Sequence, residues 1–219
     1  TPLVPSPAVE AQVRRSLLLA GPRALYVADE IVRGAPATLA SLWHGRGTRT
    51  VVQEGGRDAE ISWSRSRAAA AATRLRVVAT ASRPITVARA SGFYSEVYGA
   101  EEALDYVRLE ASTATSLRVL AAVDLGSPSD APLVVSRPSC PAHECLAVDD
   151  GLGEDVLLLG DGATSLAASG VAAEGRFARV RREGGAVHAA QLEEGTRLEA
   201  DGALLLTAAR PSTLSLSPG

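Results

Sequence analysis

The segment FARVRREGGAVHAAQLEEGTRLEADGALLLT, residues 177–207, alternates apolar runs with short turns that contain glycine. The runs have the length and side-chain character of β-strands, and the turns are typical of β-hairpins. The runs are Phe177–Arg181, Val187–Leu192 and Leu198–Thr207, and the turns are Glu183-Gly-Gly185, Glu194-Gly195 and Asp201-Gly202. This part of the chain is therefore predicted to be antiparallel sheet.

The same pattern extends over the rest of the chain, where strand-like runs are separated by turn residues at roughly 8–12-residue spacing. These runs are Val9–Ala20, Ala24–Val32, Thr38–His44, Thr48–Gln53, Ala59–Ser64, Leu75–Ala79, Ile85–Ala88, Leu104–Glu110, Ser116–Val123 and Val156–Leu159. The fold class predicted is all-β, an antiparallel β-sandwich of many short strands. Two stacked sheets and a larger supersandwich are the alternatives.

Two segments are ambiguous between strand and helix. Arg65–Arg76 contains the run Ala68–Ala72, which has good helix propensity. Trp63, Leu75 and Val77 flank that run at strand-like spacing, so a strand with small inward residues is favoured. Ala100–Tyr106 is the second ambiguous segment.

The composition changes once along the chain, where Ser, Pro and Asp accumulate around Gly126–Pro141. We therefore predict a main sandwich portion over residues 1–126 and a linker or crossover over 127–142. Residues 143–210 are predicted to be the trailing strands of the same sandwich. Residues 211–219 are rich in Ser and Pro and are predicted to form a flexible tail.

The charge of the chain disfavours one class of function. A net charge of −3 and a pI near 5.7 argue against a nucleic-acid binder, because phosphate binding requires a basic field. An anionic polysaccharide could still bind to a local arginine cluster. Lys, Asn and Met are absent, which indicates a high-GC bacterium more strongly than a surface selected for arginine contacts to carboxylate or sulfate.

The start of the chain and its cysteines favour an exported protein. Because no Met precedes Thr1, the sequence indicates a processed chain or a chosen fragment, and no apolar run approaches the ~18 residues of a membrane span. Cys140 and Cys145 are separated by four residues, which permits a disulfide. Free thiols and a metal site are the alternatives, although two Cys and His143 leave a structural zinc site one ligand short. A secreted or periplasmic location is expected.

A few polar and aromatic side chains are candidates for a binding site. His44 follows Trp43 at a strand end, where an imidazole beside an aromatic ring suits contact with a sugar, although a hydrogen-bonded strand-end histidine is the common alternative. Tyr94 and Tyr98 are four residues apart, and with Arg89 they offer the phenols and the cation that β-elimination of a uronate needs. Packing of these rings against the sandwich is the other interpretation.

Other motifs indicate structure rather than chemistry. His143 and His188 have no partner at metal-ligand spacing, and the acidic loop Asp149–Asp155 does not match a calcium loop, so it is interpreted as a solvated turn. The run Arg179–Arg182 is interpreted as an exposed strand edge rather than an anion site. Asp29 is interpreted as a strand end or a satisfied buried carboxylate. Thr1 as an amino-terminal nucleophile is a remote alternative.

Several of these motifs together resemble the C-terminal β-sandwich region of the heparinase II/III-like polysaccharide lyases. They are Arg14-Arg-Ser-Leu-Leu-Leu19, Asp29, Trp43-His44, the aromatic segment Ser91-Gly-Phe-Tyr-Ser-Glu-Val-Tyr-Gly99 and Thr196-Arg-Leu-Glu-Ala-Asp-Gly202. The resemblance fades after Leu125 until that last segment. In the family a helical (α/α) toroid precedes antiparallel sheets, and substrate lies in the cleft between them.

The resemblance implies that this chain is the trailing β-sheet part of a lyase that cleaves uronic-acid polysaccharide by β-elimination. The family's zinc motif and catalytic tyrosine have no counterpart here, so they are expected in a preceding segment, and this chain alone is expected to be inactive. Its catalytic residues are unknown, and no metal or other cofactor is expected in it. The implied partners are the helical toroid and an anionic polysaccharide. The alternative function is a non-catalytic carbohydrate-binding or adhesion module.

Overall fold

The protein is an all-β structure of two antiparallel sheets, as a computed structural model shows. The structure describes residues 11–45, 48–65, 73–94, 102–127, 129–140, 142–162 and 165–217. No helix occurs within these ranges. The prediction of an all-β antiparallel sandwich is confirmed.

Fifteen strands make up the described part of the chain. They are β1 (Ala11–Ala20), β2 (Ala24–His44), β3 (Thr48–Gly55), β4 (Asp58–Arg65), β5 (Thr73–Ala81), β6 (Thr86–Tyr94), β7 (Glu102–Gly126), β8 (Val134–Ser136), β9 (Glu144–Asp149), β10 (Glu154–Leu159), β11 (Ser165–Ala168), β12 (Val171–Glu174), β13 (Phe177–Glu183), β14 (Ala186–Ala200) and β15 (Ala203–Leu216).

The first sheet, sheet A, contains β1 to β7 in the order β1-β2-β7-β5-β4-β3, with β6 paired to β7 as well. The long strand β7 is shared between two partners on one side. Its first half pairs with β6 and its second half with β5, while β2 pairs along both halves on the other side.

Strands β2 and β7 bend at about the same level. The register of β2 against β7 shifts between Val32 and Leu39, and Thr113 in β7 has a φ of 50°. Bulges and a left-handed residue increase local twist and let a strand turn a corner. The chain therefore continues through both bends as single strands, where the sequence indicated separate strands ending at Val32 and starting at Thr38.

Sheet A folds over on itself because of these bends. Val27 and Trp43 lie on either side of the bend in β2, yet both belong to one apolar cluster with Val107 and Val119 of β7. We call this cluster the inner core, and it fills the space between the two halves of sheet A. Ile61, Trp63 and Val77 of the outer strands complete it.

The second sheet, sheet B, contains β8 to β15 in the order β11-β12-β14-β13-β10-β9-β8, with β15 paired to β14. It begins inside the predicted linker, since β8 occupies Val134–Ser136. It also includes part of the segment predicted as a tail, because β15 continues to Leu216. Most of Arg65–Arg76 and part of Ala100–Tyr106 lie outside the described residues.

Two further apolar clusters cover the faces of sheet B. The inter-sheet core joins Tyr26 and Leu120 of sheet A to Leu146, Leu157 and Phe177 of sheet B. The outer core, on the opposite face of sheet B, contains among others Val156, Leu158, Leu166, Val180, Leu192 and Leu198. The molecule thus has three apolar layers separated by two sheets.

The central strands β7 and β10 are buried on both faces. Val119 faces the inner core and Leu120 the inter-sheet core, while Leu157 and Leu158 divide in the same way between the inter-sheet and outer cores. Side chains alternate between faces along a strand. A strand buried on both sides therefore appears in the sequence as an uninterrupted apolar run, such as Val156–Leu159.

Two of the three hairpin turns predicted at the end of the chain are present, but the prediction of a turn at Glu194-Gly195 is wrong, because these residues lie inside β14 at a shift in its register against β15. Gly184 and Gly185 connect β13 to β14, and Asp201 and Gly202 connect β14 to β15. All four residues have positive φ, between 52° and 82°. A two-residue loop with both residues in that region matches the twist of the flanking strands.

Gly45, just after β2, makes a close approach that leads to a first prediction. A Cβ at this position would overlap the ring of Trp63, which is almost fully buried in the inner core. Because overpacking forces side chains off their preferred positions, we expect Gly45→Ala to lower the free energy of unfolding by about 2 kcal/mol. The measurement is urea denaturation followed by tryptophan fluorescence.

Gly34→Ala is the matched control, since a Cβ at Gly34 in β2 meets no atom within 4 Å. We expect this variant to change stability by less than about 0.5 kcal/mol. If the two variants lowered the free energy of unfolding equally, the close packing of Gly45 against Trp63 would be contradicted.

Candidate functional site

The strand register separates the sequence-predicted site residues onto two faces of sheet A. Trp43 of β2 lies opposite Val107 of β7, which lies opposite Arg89 of β6. Residues directly opposite in an antiparallel pair share a face, so Trp43 and Arg89 are on the inner-core side, roughly 10 Å apart across two strand spacings. His44 lies opposite Tyr106 and faces the other side.

Trp43 is part of a polar cluster at the rim of the inner core. The ring is 9% exposed, and the Arg15 guanidinium carbon lies 5.6 Å from its centroid. Arg15 donates two hydrogen bonds to the Asp29 carboxylate, at 2.5 and 2.6 Å, and the Ser41 hydroxyl donates a third at 2.5 Å. Asp29 is buried. It therefore acts as a satisfied carboxylate that ties β1 and both halves of β2 together.

The exposed ring of His44 and the half-buried ring of Tyr106 form an aromatic pair on the opposite face. Their ring centroids are 5.0 Å apart with an angle of 20° between the planes. Arg108 is two residues along β7 from Tyr106 and forms an ion pair with Glu110 at 2.9 Å. Leu42 of β2 lies opposite Arg108 and is exposed. This face presents aromatic and apolar surface beside a charged pair, which is a composition suited to sugar contact.

The two tyrosines of the aromatic segment are described only in part. The backbone of Tyr94 ends β6 opposite Glu102, and Tyr98 lies outside the described residues. The structure therefore brings Trp43 close to Arg15 and His44 close to Tyr106. It places Arg89 on the inner-core side of the sheet, where its side chain is exposed.

Tyr106 and Arg15 are the neighbours that sequence reasoning missed as site residues. Tyr106 occurs in the sequence only at the end of an ambiguous segment, far from His44. Its position beside His44 follows from the register of β2 against β7, for which a single sequence has no direct signal. Arg15 carried a weak signal, since it stands in an arginine pair just before an apolar strand.

Buried carboxylates hold the two sheets together. Glu144 of β9 is 1% exposed and accepts hydrogen bonds from Arg118 at 2.7 Å and from Arg57 at 3.1 Å, both from sheet A. Burial raises the pKa of the Glu144 carboxyl above its ordinary value, and the two arginines oppose that shift. The positive charges of Arg118 and Arg57 offset the free-energy cost of burying the charged carboxylate of Glu144.

Asp155 forms a second polar link between the sheets. The Tyr26 hydroxyl of sheet A donates to its carboxylate at 2.6 Å, and Arg179 and Arg181 donate at 2.7 and 3.1 Å. Burial, together with the nearby charge of Asp155, raises the pKa of Tyr26 far above its ordinary value. Tyr26 is therefore a neutral hydrogen-bond donor inside the inter-sheet core.

The interpretation of Arg179–Arg182 as an exposed strand edge is wrong. Strand β13 pairs with β10 on one side and with β14 on the other. Arg179 and Arg181 bind Asp155, and Arg182 binds Asp201 at 3.0 Å. The positive charge of this run neutralises carboxylates of the same sheet.

Asp124 leads to a prediction on pH. Burial alone would raise the pKa of the Asp124 carboxyl. The hydrogen bonds from Arg23 and from the Leu133 amide, together with the positive charges of Arg23 and Arg74, outweigh this effect, so the pKa of Asp124 is lowered. Because the pKa of Asp124 is lower in the folded than in the unfolded protein, its charge stabilises the fold at pH values above the unfolded-state pKa near 4. This stabilisation is lost as the pH falls through the folded-state pKa. We expect Asp124→Asn to cost about 2 kcal/mol at pH 7, and the difference from wild type to shrink below about pH 4.

The measurement is urea denaturation of both proteins at pH 7 and at pH 3. Asp201→Asn is the control, since Asp201 forms its ion pair with Arg182 at the surface, and we expect a change below about 1 kcal/mol. A penalty for Asp124→Asn of the same size at both pH values would contradict the assigned role of its charge.

Cys140 and Cys145 form a disulfide whose Cα atoms are 6.3 Å apart. It closes the short connection before β9. His143 lies inside this connection and is buried, with its Nε2 accepting a hydrogen bond from the Ala167 amide at 3.3 Å. Burial, followed by the charges of Arg118 and Arg57, lowers the pKa of His143. This histidine is therefore neutral near pH 7.

Within the described residues, no three His, Cys, Asp or Glu side chains are grouped closely enough to hold a metal ion. His188 lies 3.5 Å from Glu183 at the surface. In the acidic loop, Asp149 and Asp150 accept hydrogen bonds from the amides of Gly151, Leu152 and Gly153. The described part of the chain also contains no helix long and apolar enough to span a membrane.

The fold defines the protein as an all-β protein with two antiparallel sheets in a sandwich. No protein-family model matches the chain, and a search of curated proteins finds no significant match.

Proposed function

We propose that this chain is the C-terminal β-sheet part of a heparinase II/III-like polysaccharide lyase, which cleaves uronic-acid polysaccharide by β-elimination. In this proposal the chain supports the enzyme and contributes substrate contacts. A helical (α/α) toroid, in the same polypeptide or a separate one, supplies the zinc site and the proton-transfer groups. The disulfide supports a secreted or periplasmic location for the enzyme, because disulfides persist in oxidising compartments.

The observation that carries this proposal is an exposed apolar surface at the open side of the inner core. Leu17 and Leu19 of β1 are 62% and 66% exposed, and Leu125 of β7 is 45% exposed. Leu25 and Leu75, which are partly buried, lie opposite Leu19 and Leu125 in the strand register. We call these five residues the leucine patch. Contiguous apolar surface of this kind marks a docking site.

The leucine patch lies beside cationic side chains that suit a polyanion. Arg15 is two residues from Leu17 on the same face of β1, and its side chain is 43% exposed although it also binds Asp29. Arg89 is exposed on the same side of sheet A. Guanidinium groups bind carboxylates through paired hydrogen bonds. A helical segment docked on the patch would therefore form a cleft with arginines on its sheet side.

The experiment is native mass spectrometry of the protein isolated from its natural producer, followed by an assay of the isolated species on uronic-acid polysaccharide. The expected result is a species that contains a helical toroid in addition to these 219 residues, and that releases unsaturated uronate products. A lone 22.5 kDa species without lyase activity would contradict the proposal.

A pair of variants tests the leucine patch itself. Leu19→Arg introduces a charge into the patch and is expected to weaken association with the toroid. Leu152→Arg is the control, because Leu152 is 80% exposed in the turn before β10, away from the patch. Equal behaviour of the two variants would show that the toroid docks elsewhere.

A second candidate function is favoured by the aromatic pair. His44 and Tyr106 are stacked on an open face of sheet A, and sugar rings bind to such aromatic surfaces. On this basis the chain would be a carbohydrate-binding or adhesion module without lyase activity. The two functions differ in one result, because a binding module retains polysaccharide without cleaving it and does so without a helical partner.

A further inference from the structure

A small pocket lies where the two sheets meet at the disulfide. Sheet A contributes Arg57 and Asp58, from the turn and first residue of β4, and Thr80 of β5. Sheet B contributes Arg137, after β8, and the disulfide connection with His143. The cavity volume is about 190 Å³. A water molecule takes roughly 30 Å³ in the liquid, so the pocket has room for a substituent of a few heavy atoms.

The walls of this pocket carry more positive than negative charge. Arg57, Arg118 and Arg137 are the cations at and directly behind the pocket, and Asp58 and Glu144 are the anions. Glu144 is buried behind the wall, where Arg118 and Arg57 share it. Asp58 lies 3.4 Å from Arg137. Among the residues that line the pocket, the two arginines outnumber the single carboxylate, that of Asp58.

The two pocket arginines are held in place while part of each stays accessible. Arg57 donates through Nε to the Ala81 carbonyl and through Nη2 to Glu144 at 3.1 Å. Arg137 donates to the Ala59 carbonyl at 3.4 Å. Their side chains are 34% and 21% exposed. Fixed guanidinium groups lose little conformational entropy when they bind an oxyanion.

His143 lines the pocket, and one nitrogen of its ring is buried without a partner. Its Nε2 accepts from the Ala167 amide, so the proton of the neutral ring is on Nδ1. The histidine is 5% exposed, and its Nδ1 is buried without a partner among the residues that the structure describes. A buried donor without a partner is unfavourable, and an anion in the pocket is a chemically suitable acceptor.

We propose that the pocket bounded by Arg57, Arg137 and His143 binds the anionic substituent, carboxylate or sulfate, of an acidic saccharide. Paired guanidinium donors match the planar or tetrahedral arrangement of oxygen atoms in these groups. The proposal extends the proposed function, on which its choice of a saccharide rests. It adds a secondary anchor for a polyanionic chain, at the junction of the two sheets and separate from the leucine patch.

The test is isothermal titration calorimetry of the full chain with glucuronic acid and with glucosamine 6-sulfate, using glucose as the neutral control. We expect saturable binding of at least one anionic sugar and none of glucose. Arg137→Gln is expected to weaken that binding about tenfold, the equivalent of one hydrogen bond to a charged group. Arg197→Gln, which removes an exposed arginine of β14 that pairs with Glu199, is expected to leave the affinity unchanged.

The relative binding of the two sugars identifies the preferred group as carboxylate or sulfate. Absence of binding to both sugars, or an equal loss of affinity in Arg137→Gln and Arg197→Gln, would overturn the proposal. A second measurement covers the case in which Arg137→Gln does not fold. Amide NMR shifts of His143 and Thr80 in the wild-type protein should move on addition of the anionic sugar, and shifts confined to residues outside the pocket would also overturn it.

Saccharide binding at the pocket and lyase activity are tested independently of each other. Binding through Arg137 without β-elimination by the producer's protein would support the pocket and contradict the lyase. Lyase activity without binding at the pocket would support the lyase and contradict the pocket.

Discussion

Glu144→Gln is expected to lower the free energy of unfolding by about 3 kcal/mol, because it leaves two arginines without their buried counter-charge. Glu144 is 1% exposed and is the carboxylate that Arg118 and Arg57 of sheet A share across the sheet junction. Removing one partner of a buried ion pair is more harmful than removing the whole pair. Chemical denaturation at pH 7 measures the loss.

Arg197→Gln is the matched control for this ion-pair variant. Arg197 pairs with Glu199 on the surface of β14, where its side chain is 54% exposed. Exposed ion pairs contribute little to stability, and we expect no measurable change for this variant. If Glu144→Gln lowered the free energy of unfolding no more than Arg197→Gln does, Glu144 would not hold the two sheets together.

Leu157→Ala is expected to lower the free energy of unfolding by about 3–4 kcal/mol, as large-to-small changes in a packed core do. Leu157 is fully buried in the inter-sheet core, on a strand that is covered on both faces. The cavity would therefore open between the two sheets, where neither sheet can collapse without moving the other. Thermal unfolding and urea denaturation both report this loss.

The control for the core variant is Leu204→Ala in β15, where the leucine is 56% exposed. We expect a change within about 0.5 kcal/mol. A small loss for Leu157→Ala, similar to that of Leu204→Ala, would mean that the sheets do not pack through the inter-sheet core.

The fold class could be predicted because its signals are local. Val156–Leu159 is an apolar run of strand length, and Asp201-Gly202 is a turn whose residues tolerate positive φ. Both features act within a few residues. The bends of β2 and β7 could not be predicted, since they depend on bulges and on packing of one half of sheet A against the other.

The candidate site was less accessible to sequence reasoning because its neighbours are distant in the chain. Trp43 and His44 are adjacent in the sequence but face opposite sides of sheet A, one beside Arg15 and the other beside Tyr106. The pocket at the disulfide brings Arg57 to His143 from different sheets. Such contacts follow from register and from the stacking of sheets, which a single sequence does not specify.

Product formation tests the proposed role of this chain as the sheet portion of a uronate-cleaving lyase. The intact protein from its natural producer would be incubated with uronic-acid polysaccharide, and the unsaturated uronate end groups would be followed by ultraviolet absorbance. We expect these end groups to accumulate, and we expect Leu19→Arg, but not Leu152→Arg, to reduce their rate of formation. Binding of the polysaccharide without any unsaturated product would contradict the lyase and would favour the carbohydrate-binding module.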